Sequence, residues 1–320
     1  MDEVSTHVPD KTGARRTRPR STPRTDATIE SHRTRSVYRL TREDDRVYDA
    51  SGGDSSLEGY SFFKHGDERW ARRFGYEIAD FLMDAVSDLF ARVRSDEVLV
   101  ASFPCKYVPT AAALMVDHTV TRLNHILSGE NKPAVGYHHA FKYPWWPSGE
   151  YYFAHMEEEA RRRILDNVEL SVDKDRLRGT HLIIVDDTRV TGATEDKFLQ
   201  LLYRVEGLRS LTVVFLCNVD PAVAKADPAV EGRLNQHTVQ TLDNVAAIVA
   251  TSEFRWNIRV VKFVREQRDM KDFDAFIRGL DNSLLLALCK FVVSNDYHFD
   301  RQYKRRIQII RSAIDSHGII

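Results

Sequence analysis

One stretch, LIIVDDTRVTGAT (182–194), combines the residue types that could bind a phosphorylated sugar. The adjacent carboxylates of Asp186 and Asp187 follow four apolar residues, and carboxylates suit both ribose hydroxyls and a hydrated Mg²⁺. Gly192 lets the backbone approach a phosphate closely. The hydroxyl groups that can donate to phosphate oxygens belong to Thr188, Thr191 and Thr194. The stretch therefore predicts a diol and metal site beside an anion site.

A strand and a helix must position these residues. Leu182–Val185 predicts a buried strand, and ligands of open α/β sheets bind at the carboxyl ends of strands. The loop that follows leads to a helix predicted over Asp196–Val205, whose free N–H groups and dipole favour an anion. Because carboxylates repel phosphate, we expect Asp186 and Asp187 to contact neutral hydroxyls and Mg²⁺.

The stretch resembles the phosphoribosyl diphosphate signature of type I phosphoribosyltransferases: a hydrophobic strand, two acids, three residues, Thr-Gly, one residue and Thr. The resemblance implies that Asp186 and Asp187 are catalytic, hold the ribose 2′ and 3′ hydroxyls and contact the metal. It also implies that the 5′-phosphate is wrapped by Thr188, Arg189, Val190, Thr191, Gly192, Ala193 and Thr194. The alternative is an acid-ended strand followed by an ordinary capped helix.

An earlier strand and loop, EVLVAS (97–102) and FPCKYVP, lie where type I enzymes place their diphosphate-binding loop. The resemblance implies that Lys106 is a catalytic cation and that Ser102, Cys105 and Tyr107 contact the substrate. It also implies a cis non-proline peptide near Lys106, although such bonds are rare. The alternative is a plain βα turn with a solvated lysine.

Two shorter segments carry looser resemblances. Arg163–Asn167 precedes the signature strand, as in the competence-protein-like branch of the family, and YSFFKHGD (60–67) resembles a motif of relatives found in bacterial operons. The purine 6-oxo enzymes have an acid where this chain has Val190, which cannot move a proton, so salvage of hypoxanthine and guanine is not expected. Arg189 either pairs with diphosphate or an anionic acceptor, or is solvated.

Residues 131–153 hold three prolines and many aromatic residues, which predicts a long loop or an irregular hairpin. Type I enzymes keep a mobile loop here that closes over the site. His138, His139 and Lys142 are candidates to contact the diphosphate or take a proton. The alternative is a surface loop whose Trp145 and Trp146 pack on the rest of the protein. Elsewhere, Trp256 either stacks on an acceptor ring or lies in the core, and Lys304–Arg306 predicts a solvated face.

The alternation of strands and helices predicts an α/β fold of the type I phosphoribosyltransferase kind. We expect a doubly wound, mostly parallel sheet of about five strands, a small subdomain called the hood, and a helical carboxyl-terminal extension. The predicted helices are Tyr60–Ala91, Pro109–Leu127, 157–165, 273–294 and 300–315. The further predicted strands are Leu211–Val219 and Ile258–Phe263, and 245–250 is one more apolar run. The predicted divisions are a disordered basic tail (1–36), an α/β domain with the hood element (37–265) and the extension (266–320).

Composition narrows the class of protein. The 320 residues carry a net charge of −1, which does not favour binding to nucleic acid or to a membrane surface. No apolar run is long enough for a spanning helix, and MDEVSTHVPD does not resemble a secretory signal. Three scattered cysteines without a CxxC pair predict free thiols in a reducing cytoplasm. The tail is either solvated or a basic arm for an acidic partner.

Two functions follow from the resemblance. The first is a Mg²⁺-dependent enzyme that moves the 5-phosphoribosyl group from phosphoribosyl diphosphate to a small-molecule acceptor and releases diphosphate. The second is a non-catalytic regulator that senses phosphoribosyl diphosphate or a nucleotide on the same fold. The acceptor and the oligomeric state are left open; the family is often dimeric, so a homodimer is one of the alternatives.

Overall fold

The computed structural model describes residues 29, 31–43, 46–49, 57–92, 98–144, 159 and 168–318. Several predictions fall outside these ranges: most of the tail, the loop at 51–56, Trp145 and Trp146, the helix over 157–165, and Arg163–Asn167.

A six-stranded sheet forms the centre of the fold, in the order β2-β1-β8-β7-β3-β4. Only the edge pair β1 and β2 is antiparallel, so five strands run parallel, as predicted. These strands are β1 Ser31–Glu43, β2 Arg46–Asp49, β3 Val98–Ser102, β4 Gly136–Tyr137, β7 His181–Arg189 and β8 Ser210–Val219. The strands β5 Phe141–Pro144 and β6 Val168–Ser171 pair separately as a small antiparallel ribbon.

Helices cover both faces of the sheet and then form a second, helical region. Those before the signature strand are α1 Leu57–Lys64, α2 Glu68–Ala85, α3 Ser87–Arg92, α4 Ala111–Gly129 and α5 Lys174–Leu177. Those after it are α6 Ala193–Leu202, α7 Pro221–Ala226, α8 Val230–Asn235, α9 Leu242–Val249, α10 Ile258–Arg265, α11 Met270–Arg278, α12 Asn282–Ser294 and α13 Lys304–Ser316.

The helix predicted over 60–91 is interrupted between α1 and α2. Gly66 adopts φ +88, and a Cβ there would lie 2.6 Å from the carbonyl oxygen of Arg255. Asp67 then caps α2, because its carboxylate accepts a hydrogen bond from the Arg69 N–H. The interruption turns the end of α1 toward the sheet, where its side chains reach the carboxyl end of β7.

Two sequence predictions are wrong in detail, and one apolar run gains an assignment. Residues 31–36 belong to β1 and pair with β8, so the predicted tail does not extend that far. The segment predicted as a strand over 258–263 is the helix α10, begun by the side chain of Asn257, which accepts from two backbone N–H groups. The apolar run at 245–250 lies mostly in the helix α9.

One hydrophobic cluster joins the helical extension to the preceding part of the chain. It contains Val108 from the loop after β3, Val260 and Val264 of α10, Phe273 of α11 and Ile307 of α13, all less than 9% exposed. The predicted boundary between 265 and 266 therefore divides residues that share one core. The extension packs as part of the same folded unit.

Candidate functional site

A cleft opens where β7 continues beyond its neighbour β3. The pairing of the two strands ends at Ser102 with Val185, whereas β7 runs on to Arg189. The β3 side of Asp186 to Arg189 therefore faces an open cleft, whose empty space is about 570 Å³ when the solvent at its mouth is included. Its lining includes every residue from Asp186 to Glu195, joined by Phe103, Phe215 and Glu231.

Asp187 is held by a buried cation. The Lys64 Nζ lies 2.6 Å from the Asp187 Oδ2 and 3.5 Å from the Glu231 Oε1, and the side chains of Lys64 and Asp187 are 8% and 10% exposed. Burial lowers the pKa of Lys64, but the two carboxylates outweigh it and leave that pKa raised. Lys64 is therefore charged and fixes the orientation of Asp187.

Asp186 differs from its neighbour in its electrostatics. Removal from water, followed by the negative charge of Asp187, raises the pKa of Asp186 well above its usual range. The positive charge of Lys64 opposes this shift without cancelling it. A cation or a set of hydroxyl donors at Asp186 would stabilise its ionised form.

A side chain of α1 holds Thr188, the residue that follows the two acids. The hydroxyl groups of Tyr60 and Thr188 are hydrogen-bonded at 2.7 Å, and Tyr60 is 3% exposed. Burial, followed by the charge of Asp187, raises the pKa of Tyr60 well above its usual value, so the phenol keeps its proton. The segment 60–67 thus supplies two residues, Tyr60 and Lys64, that fix the signature.

The turn from β7 into α6 has the backbone of an anion site. Gly192 adopts φ +78 immediately before α6, and no side chain caps the helix there. The Thr191 hydroxyl accepts weakly from the Ala193 N–H, at 3.4 Å, while Val190 is buried. The helix begins three residues earlier than predicted, which brings its positive end directly to the cleft.

Arg189 lines the cleft, but its guanidinium is already engaged in an ion pair. Its Nε donates to the Oε2 of Glu195 at 2.6 Å, and the buried Glu195 also accepts from the hydroxyl of Thr34 at 2.7 Å. A Cβ on Gly192 would lie 3.0 Å from the Arg189 guanidinium. Arg189 therefore braces the turn against β1 and α6.

The residues of the predicted diphosphate loop that were expected to contact the substrate do not line this cleft. Lys106 forms an ion pair at 2.6 Å with Asp296, which follows α12. The Cys105 N–H already donates to the carbonyl of Ala140, at 3.3 Å. The Ser102 hydroxyl donates to the carbonyl of Phe103 at 3.2 Å, and Tyr107 is 61% exposed.

The expected cis bond near Lys106 is absent, since all described peptide bonds are trans. Phe103, which the sequence did not single out, is the residue of this loop that lines the cleft.

The loop that follows α4 does approach the acids. Lys142 is exposed, and its charge acts on both Cys105 and Asp186. His138 is buried, and its backbone N–H donates to Val100 at 2.9 Å. Lys142 is therefore a stronger candidate than Lys106 for a cation beside the substrate.

Trp256 and the basic residues at 304–306 do not line the cleft. Trp256 is 5% exposed and donates through Nε1 to the carbonyl of Leu284 at 3.1 Å, so it belongs to the core. Lys304 and Arg305 are exposed, as predicted, while Arg306 donates through Nε to the carbonyl of Gln267 at 3.1 Å.

The residues at the cleft fit a hard cation only in part. Asp186, Asp187 and Glu231 offer the oxygen donors that Mg²⁺ prefers, but Asp187 and Glu231 already face Lys64. Within the described ranges, no three His, Cys, Asp or Glu side chains converge as a preformed metal site. A Mg²⁺ ion here would take most of its ligands from the substrate and from water. In the same ranges, no helix is both long and apolar enough to cross a membrane.

Three solved phosphoribosyltransferases match part of this chain. A Staphylococcus aureus hypoxanthine phosphoribosyltransferase matches with 12% identity over 48% of this chain and 65% of its own, at a TM-score of 0.28. The hypoxanthine-guanine enzyme of L. donovani matches with 13% identity, 47% and 72% coverage and a TM-score of 0.29. The hypoxanthine enzyme of Trypanosoma cruzi matches with 20% identity, 48% and 75% coverage and a TM-score of 0.30.

The chain thus spans just under two thirds of the length of the S. aureus enzyme. No curated protein matches this sequence.

A family model gives the wider match. The model described as PRTase ComF-like covers residues 36–310, which include the second half of β1, the signature, the cleft and most of the helical extension. This range extends beyond the motifs that carry the resemblance in the sequence, which lie between residues 60 and 194. The chain belongs to the ComF-like family of phosphoribosyltransferases.

Proposed function

We propose that this protein binds Mg²⁺ and phosphoribosyl diphosphate in the β7 cleft and transfers the 5-phosphoribosyl group to an acceptor. The observation that carries the proposal is the cleft itself. An acid pair at the unpaired edge of β7 is continuous with an anion-binding turn at the amino terminus of α6.

The reaction breaks the bond between ribose C1 and a diphosphate oxygen and forms a bond between C1 and the acceptor. The acceptor's proton passes to water, and diphosphate leaves. In this proposal Asp186 and Asp187 hold the ribose hydroxyls, and the backbone N–H groups of 190–194 bind the 5′-phosphate. Mg²⁺ bound with the substrate, beside Asp186, would neutralise charge on the departing diphosphate.

Lys64 and Tyr60 contact residues of the signature without lining the cleft. Lys64 offsets the charge of Asp187, so the carboxylate can face a diol without repelling the nearby phosphate as strongly. Tyr60 holds Thr188 at the entrance of the turn. Both are positioning residues, and neither lines the cleft.

The test is a turnover assay with the full chain, Mg²⁺, phosphoribosyl diphosphate and a panel of acceptors, followed by release of diphosphate and by a mass gain of one ribose phosphate. We expect diphosphate release that requires both Mg²⁺ and an acceptor, and its loss in Asp186→Asn with Asp187→Asn. Full turnover by that double variant would refute the assignment.

Binding without turnover is the second candidate. Both cations first predicted to contact diphosphate, Lys106 and Arg189, already pair with Asp296 and Glu195. If phosphoribosyl diphosphate binds but no acceptor in the panel supports turnover, while nucleic acid binding responds to the ligand, the regulator is favoured.

A further inference from the structure

A second cavity, the His65 cavity, lies at the end of α1. It is lined by His65, Gln236, Arg259, Lys262, Phe263, Glu266 and Gln267, and its empty space is about 470 Å³ out to its mouth. It shares two elements with the cleft. Lys64, which holds Asp187, precedes His65, and α8 carries Glu231 to the cleft while its C-cap Gln236 lines the cavity.

His65, which lines this cavity, has a hydrogen-bond acceptor that no described residue uses. Its Nδ1 lies 2.9 Å from the carbonyl oxygen of Ser61, so the proton sits on Nδ1 and Nε2 carries a lone pair. The residue is 0% exposed, its ring packs edge-on against Phe263, and Nε2 has no partner among the described residues. A buried acceptor of this kind calls for an N–H or O–H group from a ligand.

The opposite wall is cationic. Arg259 and Lys262 lie three residues apart on α10 and thus on one face, and neither has a carboxylate within 4.0 Å in the described part of the chain. Glu266, the one acid of the lining, contacts the Arg265 guanidinium at 3.1 Å. Two unpaired cations around a small cavity favour an anion.

We propose that the His65 cavity binds the acceptor of the transfer, and that this acceptor carries an acidic group together with an N–H or O–H group. The acidic group lies against Arg259 and Lys262, and the hydrogen donor faces the His65 Nε2. The proposal rests on the proposed function, because it assigns an acceptor class to that reaction.

Titration agrees with this assignment. Burial, followed by the charges of Lys142, Arg259 and Arg265, lowers the pKa of Lys262 to about 7, with Glu266 opposing. Burial lowers the pKa of His65 to about 4, which keeps Nε2 unprotonated at neutral pH. A bound anion would restore the charge of Lys262, so anion affinity should fall as the pH rises through 7.

The first test uses inorganic sulfate, whose charge is constant over this pH range, and titrates it calorimetrically into the full chain. Saturating ribose 5-phosphate occupies the turn at 188–194, so that sulfate reports the cavity. We expect one sulfate per chain and at least a tenfold loss of affinity in Arg259→Gln with Lys262→Gln. Lys290→Gln, an exposed lysine on α12, is the matched control and should bind as wild type does.

Lys262→Arg should keep sulfate binding but lose its pH dependence. Absence of sulfate binding to the wild type, or unchanged binding by the Arg259 and Lys262 double variant, would overturn the proposal. If ribose 5-phosphate does not bind while sulfate still depends on Arg259, the cleft assignment fails and the cavity stands as an anion site alone.

The second test separates an acceptor site from a regulatory one. Diphosphate release is measured with matched pairs of a heterocyclic or aromatic acid and its amide. We expect turnover with acids, not amides, and at least a tenfold higher KM for the acid in the double variant, at an unchanged Kd for phosphoribosyl diphosphate. Turnover with neutral acceptors that is indifferent to Arg259 and Lys262 contradicts the assignment.

Discussion

Two neighbouring aspartates occupy opposite electrostatic positions. Asp187 is balanced by Lys64, whereas Asp186 has no cation of its own within 4.0 Å in the described residues. The folded protein therefore favours the neutral form of Asp186. Its raised pKa means that stability falls as the pH rises from the usual aspartate range toward that raised value.

Asp186→Asn and Asp187→Asn should therefore change stability in opposite directions at pH 7. Asp186→Asn should stabilise by on the order of 1 kcal/mol, and the gain should vanish below about pH 3, where the unfolded chain is also largely protonated. Asp187→Asn should destabilise by about 2–3 kcal/mol, somewhat below the loss for a broken buried pair, because Glu231 still faces Lys64. Urea unfolding measures both, and equal signs would contradict this electrostatic picture.

Gly192 is the second residue with a specific expectation. Its φ is +78, and a Cβ added there would lie 3.0 Å from the Arg189 guanidinium, which leaves little room for a side chain. Gly192→Ala should cost about 1–2 kcal/mol, from the left-handed conformation, and weaken ribose 5-phosphate binding. Gly129→Ala, where a Cβ meets nothing within 4 Å, is the control. Wild-type affinity in Gly192→Ala would show that the turn does not hold the phosphate.

At the residue scale, the sequence motif predicted the acids and the turn as neighbours. It could do so because the cleft is lined by consecutive residues of one segment. It did not rank Lys64 or Tyr60 as site residues, although the segment 60–67 resembles a motif of relatives. Their roles depend on a long-range contact with β7, which no local pattern displays. Glu231 and Phe103 were missed for the same reason.

At the level of elements, α10 links the helical region to the His65 cavity. The sequence predicts a strand over 258–263 because Val260, Val261 and Val264 are β-branched and close together. The structure forms a helix because Asn257 caps it and because those valines pack into one hydrophobic cluster. Tertiary packing decides between helix and strand for so short a segment.

Removing the cap of α10 tests this connection. Asn257→Ala should destabilise by about 1 kcal/mol, with up to about 2 as the upper end for such caps. It should also weaken sulfate binding, since α10 carries Arg259 and Lys262. Asp269→Ala removes the equivalent cap from α11 and should lose similar stability but keep sulfate binding. Equal sulfate affinities for the two variants would mean that sulfate does not bind in the His65 cavity.

The predicted βα and αβ elements around the signature were found within a few residues of their predicted limits. The differences have physical causes. β7 extends to Arg189 because β8 continues beside it, and α6 begins at Ala193 because Gly192 ends the turn. The addition of β1 to the sheet was not expected, since the basic residues of 31–36 alternate along an exposed strand and resemble a tail.

For the whole molecule, the helical extension shares its core with the α/β domain. Lys106 contacts Asp296, and Val108 lies in the same cluster as Phe273 and Ile307. A chain ending at residue 265 should therefore expose that cluster and fail to fold cooperatively. Circular dichroism during thermal unfolding would show this loss of cooperativity. A sharp transition of the shortened chain at the wild-type temperature would mean that residues 1–265 fold independently of the extension.

The whole-molecule predictions divide clearly. The α/β class and the mostly parallel sheet are confirmed, because strand and helix periodicities alternate strongly along the chain. The division at 265 was set by composition and motif coverage, neither of which reports shared packing. The homodimer and the cytoplasmic location stay predictions.

The central claim is that the acid pair and the following turn bind phosphoribosyl diphosphate. Isothermal titration calorimetry of the full chain at millimolar Mg²⁺ tests it most directly, with wild type, the Asp186→Asn and Asp187→Asn double variant, and Lys290→Gln as control. We predict one ligand per chain for wild type and control, and at least a hundredfold weaker binding for the double variant. No association with wild type, or equal affinity in the double variant, would contradict the claim.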